Sequence, residues 1–369
     1  MDFSLTEDQR ALRAGMRELM ERRFPRARLR AVVDAEGGGG AAAGEGAGTG
    51  AGAVDRGLWR ELGAAGFFAL RLPEAAGGVG LGLPEAVLAF EEAGRALLPG
   101  PLAATHLAAG LAATGAPVAG VPVAGAAVAG AAEGEAVVTA LDTAGAGHGG
   151  AVLVEHLASA DAVLVLGDGD AGIRTAKEIG SSAEAVRSVD PATPLHRVPG
   201  GVAPAAAGER SSGEQGAGAG RGTAARLRRE AALLTAAQQL GSAVRTVETA
   251  VAHARERVQF GRAIGAFQAV QHLCASMLVR AETARSVVYA AAVTEDPGDI
   301  AAAVLLADEA AVRNARDCLQ VHGGMGFTWE ADVHLHLKRA WVRAEQWQTA
   351  AAAEEELAAG LMSTGARCL

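Results

Sequence analysis

The chain has 369 residues, of which 50% are hydrophobic and 20% are charged, and its formal net charge is −9. This composition excludes an intrinsically disordered protein and a basic nucleic-acid binder, and the length suffices for two or three domains. Three cysteines, Cys274, Cys318 and Cys368, are widely spaced, so neither a disulfide framework nor a zinc site is expected. The N-terminus lacks the apolar region of a signal peptide, and no apolar run reaches membrane-spanning length. We therefore expect a cytoplasmic protein without membrane contact.

The first part of the chain has helical patterning. Residues 5–34 are predicted to form a helix, because apolar residues recur at helical spacing and Thr6 can serve as the N-cap. Residues 36–54 are so rich in glycine that we expect a flexible surface insertion. Helical patterns resume beyond it, so residues 1–112 are predicted to form an N-terminal all-helical domain.

The middle of the chain has the patterning of strands. Short apolar stretches bounded by Gly, Asp and Pro are VVTAL, AVLVEHL, ADAVLVLG and AGIRTA. They predict a small β-sheet or barrel domain over residues 113–200. Residues 201–225 are rich in Gly and Ser and are predicted to form a linker.

The last part is helical again. Three long segments, 226–256, 264–293 and 298–321, and a final helix over about 330–359 predict a four-helix bundle within residues 226–369. The fold class is therefore α+β, with a β domain between two helical domains.

The segment RERVQFGRAIGAFQAVQH, residues 255–272, is the first that indicates chemistry. A helix ends near Arg257, a turn follows, and a new helix begins before Gln268. Arg257 and Arg262 can bind phosphate oxygens, Gln268 can bind a polar ring or a diphosphate, and the helix N-terminus favours an anion. Taken alone, the pattern is weak evidence of a binding site, because arginines at a helix turn are more often solvated.

The segment QVHGGMGFTWEADVHLHLKRAW, residues 320–341, is the second. Its glycines allow close approach of another molecule, although a glycine cap between two helices is the plainer interpretation. His334 and His336 are two residues apart and face different ways on a helix, so no metal site is expected.

Together the two segments resemble the acyl-CoA dehydrogenase family. The resemblance is carried by R-V-Q-F-G-R-x-I-x-x-F-Q-x-V-x-H from Arg257 and, about 50 residues on, by Q-V-H-G-G-x-G-F-T-W-E from Gln320. FSLTEDQRALR, GFFALRLPEAAGGVGLG and AVLAFEEAGRALLPGPL are also similar to the family. The likeness extends over nearly the whole chain except the Gly-rich insertion and the linker, and the helix–sheet–helix order agrees with it.

This resemblance implies a flavoprotein that binds FAD and oxidises an acyl thioester to its α,β-enoyl form. A base would remove the α-proton while a hydride leaves the β-carbon. The implied FAD contacts are Arg257, Gln259 and Phe260 along the cofactor and Gln268 at its diphosphate or adenosine end. From the partner subunit, a loop would close over the diphosphate, formed by Gln320, Val321, His322, Gly323 and Gly324. A homo- or hetero-oligomer, a dimer or tetramer, is implied, with an electron-transfer flavoprotein or another electron acceptor.

The sequence departs from the family in the middle domain. The expected T-E-P-x-A-G-S-D motif is replaced by V-V-T-A-L-D, in which only Thr139 matches, and no Trp lies between Trp59 and Trp329. Thr139 is therefore the one candidate for a flavin-ring contact.

The catalytic base is not identified. One family position for the base falls at Trp347, two residues from Glu345, and the other falls at Ala231, next to Glu230. One helical step turns a side chain by about 100°, so Glu230 and Glu345 are weak candidates, and we expect both to be solvated helix charges.

Without a base, three functions stay open. These are an α,β-dehydrogenase whose base has moved, a catalytically silent subunit that completes the FAD site of a hetero-oligomer, and a flavin monooxygenase. The G-F-T-W-E wording most resembles subunits of actinobacterial pairs that act on bulky, ring-bearing acyl-CoAs. An acyl-CoA and an acyl carrier protein thioester are both possible substrates. Because the chain is acidic, a CoA site would depend on local arginines such as Arg226, Arg228 and Arg229, although a solvated basic helix start is as simple an explanation.

Overall fold

The computed structural model describes residues 4–37, 54–113, 128, 130–144, 150–168, 171–200, 202 and 222–365. The helices are α1 Glu7–Arg23, α2 Arg26–Gly37, α3 Arg56–Ala64, α4 Leu83–Arg95, α5 Leu102–Ala113, α6 Ala176–Gly180, α7 Thr223–Glu256, α8 Gln268–Thr294, α9 Pro297–His322, α10 Val333–Arg343 and α11 Ala350–Gly365. The strands are β1 Val138–Asp142, β2 Ala151–Glu155, β3 Ala162–Leu166, β4 Ala171–Thr175, β5 Glu184–Val186, β6 Leu195–Pro199, β7 Val258–Gln259 and β8 Arg262–Ala263. The predicted α+β fold is confirmed. Nearly all of the predicted insertion and most of the predicted linker lie outside the described residues, but α7 already begins at Thr223.

The predicted first helix is two helices. Thr6 and Gln9 form a reciprocal cap at the start of α1, with the Gln9 amide N–H donating to Thr6 Oγ1 at 3.1 Å, so the predicted N-cap is confirmed. A single helix over 5–34 is wrong, because Pro25 has no N–H and separates α1 from α2.

The chain divides into two compact units. Unit 2 comprises Arg23–Gly82 and Pro99–Ala231, and it contains two three-stranded sheets. In one sheet the central β3 is parallel to β1 and antiparallel to β4; in the other the central β6 is antiparallel to β2 and β5. β1 to β4 match the four predicted stretches. β5 and β6 were not predicted, because β5 has only three residues and β6 carries His196 and Arg197 between two prolines.

A shared apolar core and polar links to helices hold the sheets of unit 2. Every residue of β3 is buried, and Val154 and Val198 from the other sheet join the same cluster. The Thr105 hydroxyl of α5 donates to the Val138 carbonyl at 2.9 Å and accepts from the Val138 amide at 3.0 Å. These two buried hydrogen bonds fix β1 to α5, and they are stronger than they would be in water.

Unit 1 comprises Met1–Arg22, Leu83–Leu98 and Ala232–Leu369. Its core cluster joins α7, α8, α9 and α10 through residues such as Met277 and Leu319. The Asn314 side-chain amide of α9 donates to the carbonyls of Met277 at 2.9 Å and Ala243 at 3.3 Å. One buried amide therefore fixes three helices relative to one another.

The predicted final helix over 330–359 is wrong. The structure has α10 and α11 instead, separated at Trp347, which has a φ of 62°. A non-glycine residue with positive φ cannot continue a right-handed helix. The sequence carries no Gly or Pro in this stretch, so it gave no sign of the break.

The backbones of α4 and α7 touch in unit 1. A Cβ added at Gly241 would lie 1.9 Å from the Glu91 carbonyl oxygen, and one added at Gly94 would lie 2.0 Å from the Gln238 carbonyl oxygen. Only glycine permits this approach, because any side chain at either position overlaps the facing backbone.

We expect Gly241→Ala to destabilise the protein by about 1–3 kcal/mol or more, because α4 and α7 must separate. The matched control is Gly15→Ala on the exposed face of α1, where an added Cβ meets no atom within 4 Å. That change should stabilise by about 0.5–1 kcal/mol. Urea unfolding of both variants provides the measurement, and equal effects would contradict the close approach.

Candidate cofactor site and active site

A tight hairpin follows the end of α7 in unit 1. β7 and β8 pair through Gln259 and Arg262, and the two residues between them, Phe260 and Gly261, have φ values of 52° and 78°. Two consecutive left-handed residues are typical of the two-residue turns that match strand twist. The Phe260 side chain is 92% exposed. The turn therefore exposes the Phe260 ring, which lies edge-on to the Phe267 ring with centroids 6.0 Å apart, at the cost of an unfavourable backbone conformation.

The hairpin leads into the start of α8. The Phe267 side chain makes no capping hydrogen bond there, and the Arg262 guanidinium lies 4.2 Å from the centroid of its ring. Gln268 is the first residue of α8 and is exposed, as are Arg257 and Gln259. The amide N–H groups of a first helical turn have no partner within the helix, and they favour negative charge.

The second predicted segment lies at the end of α9. Gly323 has a φ of 61°, and its N–H donates to the Gln320 carbonyl. A Cβ added at Gly323 or Gly324 would meet no atom within 4 Å, so both glycines border open space. Gln320 is exposed, whereas the Val321 side chain is buried in the core of unit 1. Val321 can therefore offer a ligand its backbone but not its side chain.

The structure brings the two segments together. The rings of His253 in α7 and His322 in α9 stack with centroids 4.1 Å apart and planes 18° apart. His322 Nδ1 donates to the Cys318 carbonyl at 2.8 Å, which fixes the proton on Nδ1. Burial lowers the pKa of His253, and His322 and Arg257 lower it further. The stack thus joins two elements that are far apart in sequence.

We name this region the cradle surface. It consists of the exposed residues Arg257, Gln259, Phe260, Gln268, Gln320, Gly323 and Gly324. His322, in the same segment as the two glycines, stacks on His253.

We expect His253→Ala to loosen the glycine segment, residues 320–327, which carries the two glycines of the cradle surface. Loss of a ring stack worth about 0.5–1.5 kcal/mol should speed amide hydrogen exchange over residues 321–327 by up to about tenfold. His253→Phe keeps a ring against His322 and should leave exchange nearly unchanged. Equal exchange in both variants would show that the stack does not hold the segment.

Thr139 lies in unit 2 and is fully buried. Its hydroxyl donates to the Glu155 carbonyl at 2.6 Å. This bond uses the hydroxyl inside the β structure, so it speaks against a flavin contact by the Thr139 side chain.

The expectation that Glu230 is a solvated charge is wrong. Its side chain is only 6% exposed, and its two oxygens accept from Arg71 Nη1 at 2.8 Å and Arg226 Nη1 at 2.6 Å. Arg71 is 159 positions away in the chain, so the sequence could not reveal this pairing. A carboxylate with both oxygens engaged is poorly arranged to accept a proton from a substrate.

Arg228, also at the start of α7, has partners of its own. Arg228 Nε donates to the Asp142 carboxylate at 2.7 Å, and this guanidinium also contacts the Gly167 carbonyl. The expectation of a solvated basic helix start is therefore wrong for Arg228, whose guanidinium is hydrogen-bonded within unit 2.

The remaining base positions carry no usable acid. Glu345 is exposed, as expected for a solvated charge. Trp347 occupies one family position for the base, and the other, Ala231, is fully buried.

Sequence reasoning missed Asp308 in α9. Burial raises the pKa of Asp308 to about 7, with a further increase from Glu345 and a decrease from Arg343, and its Oδ1 accepts from Gln239 Nε2 at 2.8 Å. The acidic pair Asp308 and Glu309 within the apolar run AAAVLLADEAAV was the available signal. His336, whose Nδ1 lies 2.7 Å from the Ser242 hydroxyl, is likewise held neutral, since burial lowers its pKa to about 3.

The described residues contain no group of three or more His, Cys, Asp or Glu side chains that could hold a metal ion. None of the helices in the described part of the chain is long and apolar enough to cross a membrane.

Comparison with solved structures gives the class of protein. The chain aligns over 98% of its length with 99% of a chain from the ChsE4–ChsE5 complex of Mycobacterium tuberculosis, at 26% identity and a TM-score of 0.76. It also aligns over 98% of its length with all of a butyryl-CoA dehydrogenase chain from Megasphaera elsdenii, at 21% identity and a TM-score of 0.76, so the fold is that of the acyl-CoA dehydrogenases.

Family models and relatives give the same result. The acyl-CoA dehydrogenase N-terminal domain matches residues 6–119, and the acyl-CoA dehydrogenase C-terminal domain matches residues 218–348. Acyl-CoA dehydrogenase IpdE2 of M. tuberculosis is 35% identical over 78% of this chain and 80% of its own. Acyl-CoA dehydrogenase FadE34 of the same organism is 37% identical over 77% of this chain, which spans 39% of FadE34. The chain belongs to the acyl-CoA dehydrogenase family, which consists of FAD-dependent oxidoreductases, so the predicted resemblance is confirmed.

Proposed function

We propose that this chain takes part in the α,β-dehydrogenation of an acyl-CoA thioester as the FAD-holding subunit of a hetero-oligomer. The observation that carries the proposal is the cradle surface, which consists of open glycines, an exposed arginine and a helix start in unit 1, with the stack of His253 on His322 joining the end of α7 to the glycine segment. The base that removes the α-proton would come from a second chain of the same family.

The cradle surface fits FAD by its chemistry. The Arg257 guanidinium, the first-turn amides of α8 and the backbone of Gly323 and Gly324 are donors suited to a diphosphate. The exposed side-chain amides of Gln268 and Gln320 suit the polar edges of an adenosine. Bound FAD would supply a hydride acceptor for the β-carbon of the substrate. Because the chain carries a net charge of −9, these local donors must outweigh its overall repulsion of an anion.

The rim of the cradle surface favours a partner chain. Phe260, Met325 and Phe327 expose 92%, 57% and 75% of their surface, and all three lie in or beside the two motif segments. Grouped apolar side chains in water are typical of a surface that another molecule covers. A subunit seated there would exclude water from the cofactor.

The missing base favours a different partner rather than a second copy. Proton removal from carbon needs a positioned carboxylate. Glu230 is engaged by two arginines, and Ala231 and Trp347 stand at the two positions counted from the family motifs. The structural neighbour ChsE4–ChsE5 is a complex of two different chains, which supports the same arrangement here.

We expect this chain, purified alone, to give no anaerobic flavin bleaching with acyl-CoA. Co-purification with a family member that has an acid at the position of Ala231 or Trp347 should give a yellow complex that acyl-CoA bleaches. The visible spectrum before and after substrate addition is the measurement. Bleaching of the chain alone, with one FAD per chain, would contradict the subunit proposal and show that its own base suffices.

We expect Arg257→Ala to weaken FAD binding by the purified complex about 10- to 100-fold, because a charge-assisted contact of about 1.5–3 kcal/mol is removed. Arg255→Ala is the matched control, since Arg255 is an exposed arginine in the last turn of α7. Flavin occupancy after dialysis distinguishes them. Similar retention in both variants would remove Arg257 from the proposed site.

A further inference from the structure

An acidic side chain in the bundle of unit 1 has no part in the proposed function. Asp308 of α9 is mostly buried, and its Oδ1 accepts from Gln239 Nε2 of α7 at 2.8 Å. The same nitrogen of Gln239 donates to the Ala340 carbonyl of α10 at 3.0 Å. The Gln239 side chain is fully buried. One amide nitrogen therefore joins α7, α9 and α10 away from water.

The other polar atom of the Gln239 side chain indicates a proton on Asp308. Gln239 Oε1 is buried, and none of the described residues donates a hydrogen bond to it. A buried acceptor without a donor is costly. An ionised carboxylate only accepts, whereas a protonated carboxyl group has one O–H to donate. A protonated Asp308 would complete an acid–amide pair, in which Nε2 donates to Oδ1 and the O–H of Oδ2 donates to Oε1.

The surroundings of Asp308 also favour its protonated form. Burial is the main reason why the pKa of Asp308 rises to about 7; the hydrogen bond from Gln239 opposes the rise, Glu345 adds to it, and Arg343 opposes it. In the described part of the chain, Arg343 and Glu345 are the charged groups that act on Asp308. The group that α7 presents is the uncharged Gln239, and neither α8 nor α11 contributes a charge.

The segment between α10 and α11 is the part of this cluster that can respond. We name residues 344–349 the α10–α11 junction. Its first amide donates to the Ala340 carbonyl at 3.0 Å, the same carbonyl that accepts from Gln239. The junction also contains Trp347, whose φ is 62°. Left-handed backbone at a non-glycine residue persists only while surrounding contacts impose it, so the junction depends on what holds the end of α10.

We propose that Asp308 and Gln239 form a proton-operated latch on the α10–α11 junction. With its proton, Asp308 completes the acid–amide pair, and Gln239 holds the Ala340 carbonyl. Without its proton, Asp308 leaves Gln239 Oε1 unfilled and is a mostly buried anion that Glu345 repels. An open junction that admits water to the carboxylate is then favoured. The latch needs neither FAD nor a partner chain, so its test is independent of the proposed function.

The pH range of the latch follows from the pKa of Asp308 in its two forms. The closed form has a pKa of about 7, whereas the ordinary value, expected for a hydrated carboxyl group in the open form, is 3.8. The closed form therefore binds the proton more tightly and is most favoured below about pH 4. Its advantage falls as the pH rises from about 4 to about 7, and it is constant above that, because Asp308 is then ionised in both forms.

Amide hydrogen exchange of the full chain tests the latch, with rates corrected for the intrinsic pH dependence of exchange. We expect the protection of residues 341–349 to fall about 10- to 100-fold between pH 5 and pH 7 and to stay level above pH 7. Asp308→Asn offers an amide N–H in place of the acid O–H, so it should keep the junction protected throughout. Glu309→Gln is the matched control, since Glu309 is the adjacent, exposed acid, and its protection should fall as in the unchanged chain.

Urea unfolding of the same proteins gives a second measurement. The unfolding midpoint of Asp308→Asn should exceed that of the unchanged chain by a margin that grows from pH 5 to pH 7. If Asp308→Asn does not fold, Asp308→Ser serves in its place, and its junction protection should not vary with pH, because serine does not ionise.

Two results would overturn the latch. One is junction protection that stays level from pH 5 to pH 7 in the unchanged chain, even if the midpoint margin grows, because Asp308 would then titrate without holding the junction. The other is an equal fall of protection in the unchanged chain and in the variant of Asp308, since another group would then control the junction.

Discussion

The contact between the backbones of α4 and α7 is the constraint on which the arrangement of unit 1 depends. Gly241 lies against the Glu91 carbonyl, and Gly94 lies against Gln238, so neither helix can shift without breaking contact along the other. The contact also encloses Glu91, which accepts from the Tyr289 hydroxyl at 2.6 Å. With α7 fixed in this way, its last turn carries His253 and Arg257 to a defined place, where the stack with His322 determines the position of the glycine segment.

The sequence predicts the parts of this structure that depend on near neighbours in the chain, and it misses the parts that depend on contacts with distant residues. The strands β1 to β4, the N-cap at Thr6 and the long helices follow from local periodicity and composition. The hairpin tip at Phe260 and the break at Trp347 do not, because both need left-handed backbone at a non-glycine residue. Such a conformation is imposed by surrounding contacts and leaves no mark in the local sequence.

The candidate site shows the same division. Most motif residues of the hairpin and the glycine segment are exposed, and exposure there follows from local turns that the sequence can predict. They did not show that the Val321 side chain packs into the core, nor that Arg71 reaches Glu230 from 159 residues away. A charge on a helix was expected to be solvated, but a distant partner made burial possible by compensating the loss of water.

The pairing of Glu230 bears on the choice of the catalytic base. A carboxylate that accepted a proton from substrate would leave Arg71 and Arg226 without their counter-ion in a cavity partly removed from water, so the ion pair opposes use of Glu230 as a base. In the function that we propose, the base would therefore be a carboxylate on another chain, and that chain would cover the exposed side chains of Phe260, Met325 and Phe327 beside the cradle surface.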